Sequence, residues 1–170
     1  MLKGDGRMKK MKLISKILDV ISFIVLISII IFFTGYYQKL PDRVILNLGQ
    51  VNMIWGSKHY FVALLWMAIL SYGLIFILSR FPELTPYPVK ITPQNFIRQR
   101  WISKIFASIC CCIIMSIYFM IILLLYFRAN HITGDYGIYI YIVFSLFGLL
   151  IADIVIYIIV ARRAEGRGKH

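Results

Sequence analysis

Hydrophobic positions in this chain neither alternate nor keep to one helical stripe. They gather into four nearly unbroken runs, at about residues 20–37, 60–79, 105–127 and 138–160. Each run is close to the roughly 20 residues a helix needs to cross a hydrocarbon core ~30 Å thick. In lipid every backbone amide must be satisfied within its own segment, so the runs predict helices despite their many Ile and Val residues. The expected architecture is an all-α membrane protein: one polytopic domain over residues 1–170 with four transmembrane helices.

The polar stretches between the runs add detail. Residues 1–16 read as a basic, mobile arm, with Asp19 at the lip of the first helix and Tyr36 and Tyr37 at its far interface. In the loop that follows, Pro41-Asp42 signals a turn, residues 44–48 an extended segment, and Gly49-Gln50 a reversal. Trp55 and Gly56 read as re-entry, with Ser57 as N-cap of the second helix. The next connector holds Pro82, Pro86, Pro88 and Pro93, which exclude a helix until the last of them. Thr92-Pro93 then predicts a helix start, with Thr92 as N-cap. Stripes of small residues, Ser108/Cys112/Ser116 and Ser145/Gly148/Ala152, predict close packing of the third helix on the fourth.

Composition agrees: 61% hydrophobic and 15% charged residues lie far from the usual soluble domain. The net charge of +12 is distributed by loop. Lys3, Arg7, Lys9, Lys10, Lys12 and Lys16 precede the first run. Arg80, Lys90, Arg98, Arg100 and Lys104 lie between the second and third, and Arg162, Arg163, Arg167 and Lys169 follow the fourth. These are fifteen of the 19 Lys and Arg; only Lys39, Arg43, Lys58 and Arg128 fall in the other loops. Positive charge resists translocation, so both termini are expected in the cytoplasm (N-in/C-in), with a short extracytoplasmic loop between helices 1 and 2. The basic partner surface is then the lipid bilayer, not nucleic acid. No small-x-small cleavage pattern follows the first run, which reads as an uncleaved anchor of the cytoplasmic (inner) membrane.

Two loops also carry a resemblance. Leu40-Pro41-Asp42-Arg43-Val44 opens and Trp55-Gly56-Ser57-Lys58 closes a loop similar to L-P-D-x-[IV]-P-x-H-F-N-x-x-G-x-x-D-x-W-G-S-K. The inner connector, from Arg80-Phe81-Pro82 through Tyr87-Pro88-Val89-Lys90-Ile91-Thr92 to Asn95 and Arg98-Gln99, matches in order as well. Over residues 35–125 the chain thus resembles a bacterial membrane family of unknown function whose domain forms the front of SdpI-type immunity proteins. Here the loop is two residues shorter, Ile45 stands in place of a proline, and the pattern's histidine is missing. The resemblance implies a membrane protein of this kind and, more weakly, an immunity or sensor role.

The chemistry of the side chains narrows the function. No H-E-x-x-H, G-x-S-x-G or phosphate-cradling loop occurs, and His59, His131 and His170 are scattered, so neither enzyme, cofactor nor metal is expected. The ligand-facing loop is read as Pro41, Asp42, Arg43, Asn47, Asn52, Trp55, Gly56 and Ser57, the partner being a peptide toxin or another membrane protein. Asp153, roughly 10 Å inside the fourth run, is a costly carboxyl of the kind that marks an ion or proton path. Asp19 and Cys110 lie at similar depth, so the three are candidates for one intramembrane polar pocket. The alternatives are accordingly a small proton- or ion-coupled transporter using Asp153, alone or as a homodimer, and a structural subunit of a membrane complex.

Overall fold

The computed structural model describes residues 3–45, 55–81, 84, 87–93, 95–130 and 136–166. Its element order is α1 (Lys3–Tyr36), a 3-10 turn (Tyr37–Lys39), β1 (Arg43–Ile45), β2 (Trp55–Ser57), α2 (His59–Arg80), α3 (Phe96–Ala129) and α4 (Tyr136–Gly166). All four α-helices are long and apolar enough to cross a membrane. The 34-residue helices α1 and α3 would each extend ~50 Å, well beyond a ~30 Å hydrocarbon core. Much of their excess carries the basic residues.

Residues 3–16, expected as a mobile arm, are instead the opening turns of α1. No residue in the segment forbids a helix: it has no proline, and its Met and Lys residues are good helix formers that offset Gly4 and Gly6. The start of α3 also differs from expectation. Asn95, not Thr92, occupies the N-cap position. The Asn95 side chain is committed backwards, its Oδ1 accepting from the Thr92 N–H at 2.8 Å and its Nδ2 donating to the Lys90 carbonyl at 3.0 Å. That local ring closes the connector and delays the helix to Phe96.

Helix α3 is the hub, packing on α1, α2 and α4, whereas α1 and α2 touch each other only sparingly. Its Met115, Ile122 and Leu124 are almost fully buried. Leu26, Cys111 and Met115 form a mid-bundle cluster, while Leu40, Val44, Phe61, Leu125 and Ala129 close the hairpin end. Tyr126 meets both Phe32 and Tyr36 edge-on at that end. At the opposite end Lys12 of α1 sits over the Trp101 ring of α3, and Gln99 of α3 reaches Ala161 of α4. The start of α1, the start of α3 and the end of α4 therefore share one end of the bundle.

The small-residue stripes face elsewhere than predicted. Ser108 and Cys112 pack on α1, against Ser15, Asp19 and Ser22. On α4, Ser145, Gly148 and Ala152 point away from the bundle, and a Cβ added at Gly148 would meet nothing within 4 Å. Large α4 side chains such as Tyr141 and Phe144 are also exposed, as suits residues that meet lipid tails.

Candidate functional site

The hairpin between α1 and α2 is short but firmly mounted. β1 and β2 pair antiparallel, with Arg43 opposite Ser57, Val44 opposite Gly56 and Ile45 opposite Trp55. The period of two sends Val44 inward, where it is 1% exposed among Phe61, Leu125 and Ala129, and sends Arg43 outward. Pro41 and Asp42 precede it in the open, following the turn predicted there.

Two contacts lock the base. The Lys58 N–H donates to the Asp42 carbonyl at 3.1 Å, and Lys58 Nζ lies 2.6 Å from Asp42 Oδ1. The hydrogen bond and charge from Lys58 hold the Asp42 carboxyl below its ordinary value, and the same bond raises Lys58 above its own. Lys58 Nζ also stands 5.9 Å from the Tyr37 ring centre, and the Tyr37 hydroxyl is 3.3 Å from His59 Nδ1. Asp42, Arg43, Gly56 and Ser57 line an open cleft of about 470 Å³. Ser57 does not cap α2 as expected. Lys58 takes the N-cap position without a side-chain cap bond, and the Ser57 hydroxyl accepts from the His59 N–H at 3.3 Å.

Asn47, Asn52 and the Trp55 side chain lie outside the described residues. Lys58 is the site residue that sequence reasoning passed over. A basic residue closing a loop whose opening turn carries an acid was the available signal.

The intramembrane carboxyls do not share a pocket. Ser108 Oγ donates to Asp19 Oδ1 at 2.7 Å, and Ser15 Oγ lies 3.3 Å from Ser108 Oγ, on the α1–α3 interface. Cys112 continues that seam, its thiol 2.9 Å from Ser22 Oγ and donating to the Leu18 carbonyl. Asp153 lies on the α3–α4 interface, where Cys110 Sγ donates to its Oδ2 at 3.3 Å. Ser108 and Cys110 are two residues apart, hence ~200° around the helix, which puts the two contacts on opposite faces of α3.

A cavity of about 10 Å³ beside Asp19, Ser22, Tyr72 and Ser108 is room for about one water at the lower limit. The α3–α4 face adds a group that the sequence did not flag. Gln99 Nε2 donates to the Ala161 carbonyl at 2.9 Å, while Gln99 Oε1 is buried with no hydrogen-bond partner among the described residues and the buried Ser103 and Tyr157 hydroxyls face each other. Among the described residues no cluster of three or more His, Cys, Asp or Glu is placed to hold a metal, and Cys110, Cys111 and Cys112 are free thiols.

The chain matches no protein-family model, no curated protein and no solved structure. The hairpin offers exposed, chemically varied groups on a fixed mount. The two intramembrane seams tie helices together in separate places.

Proposed function

We propose that this chain is a non-enzymatic, multi-pass protein of the cytoplasmic membrane that binds an envelope-active agent, such as a peptide toxin, at its outer hairpin. Both termini and the Pro-rich connector lie in the cytoplasm in this reading, because fifteen of the 19 basic residues flank the helices on that side. The loop resemblance to SdpI-type immunity proteins falls on the same hairpin. The observation that carries the reading is the mounting of that hairpin. Val44 is buried on the hub helix, Asp42 is clamped to Lys58, and Arg43 and Ser57 are left exposed across a cleft. Binding groups on a rigid scaffold lose less freedom when a partner arrives.

The transporter alternative draws on the Cys110–Asp153 contact within the span. Against it, the carboxyls sit on different interfaces, and the Leu26/Met115 and Phe61/Leu125 clusters fill the bundle on the hairpin side of them. The test compares cells producing the chain with cells lacking it, against a panel of membrane-active peptides. Protection against one of them is expected, lost in the Asp42→Ala/Arg43→Ala double variant and kept in Asp153→Asn. Unchanged sensitivity across the panel, or loss of protection in Asp153→Asn alone, would overturn the proposal.

A further inference from the structure

The end of the bundle opposite the hairpin holds a second, chemically different site. The last turn of α2 and the first three turns of α3 enclose a cleft of about 420 Å³, lined chiefly by Arg80, Phe96, Ile97, Arg100, Trp101 and Lys104. That volume lies within the roughly 300–1,000 Å³ typical of small-molecule clefts. Three of the six side chains are cations. Among the described residues no carboxylate pairs with any of them.

Aromatic rings pack against these cations instead. The Arg80 guanidinium lies 5.0 Å from the Phe76 ring centre, and Lys104 Nζ lies 5.4 Å from that of Trp101. The other face of the neighbourhood adds Lys12 of α1, with its Nζ 5.5 Å from the same indole. Such contacts position a cation without neutralising it. Arg80 and Arg100 are both exposed, so their guanidinium forks are free to bind a phosphate through two parallel hydrogen bonds. Ile97, 60% exposed, and half-buried Phe96 supply an apolar wall directly beside the charges.

Cations beside an exposed apolar wall, at the end of a membrane helix and next to an interfacial Trp, describe the place where a phospholipid headgroup meets its acyl chains. We propose that this cleft binds the headgroup of an acidic phospholipid from the adjoining leaflet, with Arg80, Arg100 and Lys104 on its phosphates and Phe96 and Ile97 against its chains. Three cations with no carboxylate partner among the described residues favour a headgroup with two phosphates over one with a single phosphodiester, and both over a zwitterionic one. This inference rests on the four membrane-crossing helices and is independent of what the hairpin binds.

Native mass spectrometry of the purified full-length chain, titrated with cardiolipin, phosphatidylglycerol or phosphatidylethanolamine, tests it. Affinity is expected to fall in that order. Replacing Arg80, Arg100 and Lys104 together by Gln is expected to weaken cardiolipin binding on the order of a hundredfold, from the contribution of each basic residue near an anionic surface. Arg100→Lys keeps the charge and loses the fork, so an intermediate loss is expected. Arg162→Gln/Arg163→Gln removes two cations outside the cleft and should leave cardiolipin binding unchanged. Circular dichroism that matches the wild type shows that each variant is folded; if the triple variant fails that check, Arg100→Gln alone is scored instead. The proposal is overturned if the cleft variants bind cardiolipin as wild type does, or if the α4 variant loses as much. Displacement of the lipid by millimolar inorganic phosphate would also overturn it, since a free anion would then be the occupant.

Discussion

Val44 offers the sharpest test of how the hairpin is held. Val44→Ala removes two methyl groups from a side chain that is 1% exposed. At ~0.8 kcal/mol per buried carbon, with a term for the cavity left behind, the loss is about 2 kcal/mol. Because β1 and β2 are only three residues each, that loss should fall on the local opening of the hairpin rather than on the helices. An opening equilibrium shifted by this amount grows by about thirtyfold. Hydrogen exchange of the purified protein in nanodiscs, followed by mass spectrometry, reads it at the Lys58 amide, which donates to the Asp42 carbonyl. Arg43→Ala, at an exposed position, serves as control and should change exchange by less than about twofold. If Val44→Ala exchanges like the wild type, the hairpin is not mounted through Val44 and the rigid-scaffold argument fails.

The Asp42–Lys58 clamp should be insensitive to pH between the groups' ordinary values of 3.8 and 10.5. The lowered Asp42 value makes its contribution complete above 3.8 and lost as pH falls below that, while the raised Lys58 value makes its contribution complete below 10.5 and lost above. Exchange at the hairpin should therefore rise at both extremes, and Asp42→Asn should remove the acid limb; an acid limb that persists in this variant refutes the pairing. Ser108→Ala removes the donor to Asp19 and is expected to weaken α1–α3 association by about 0.6–1.7 kcal/mol, measured by unfolding in mixed micelles. No change there would mean that the seam contributes only packing. On intact cells, a membrane-impermeant reagent should fail to label a tag placed after His170 or a cysteine placed in the Pro-rich connector, and labelling of either would reverse the proposed orientation.

The four helices were legible because length and uniform apolarity are read directly along the chain. The extended segment expected at residues 44–48 overlaps β1, Arg43–Ile45, because the Pro41-Asp42 signal before it is local; residues 46–48 lie outside the described residues. Helix facing was not legible. These helices are apolar nearly all round, so their periodicity carries little record of which side meets protein and which meets lipid. That is why Ser108 and Cys112, expected against α4, turned out to pack on α1, and why Asp19 and Asp153 fell on opposite sides of α3. The opening of α1 was misread for a different reason. Its charge suggested solvent, and solvent is compatible with a helix when no residue forbids one. Gln99 escaped notice because a single amide near a helix start looks like surface until the neighbouring α4 is in place.

The central position of α3 has a consequence for how the molecule is made. Helices α1 and α2 leave the ribosome first, yet each finds its main partner in a segment synthesised later. Until α3 enters the bilayer they have only their few mutual contacts and the hairpin between them, with Ser15, Asp19 and Ser22 turned toward lipid or toward the insertion machinery. A chain truncated within the Pro-rich connector and released would accordingly be inserted but poorly assembled. It would be an early substrate for quality-control proteolysis, whereas one truncated just after α3 would already hold three of its four helices together.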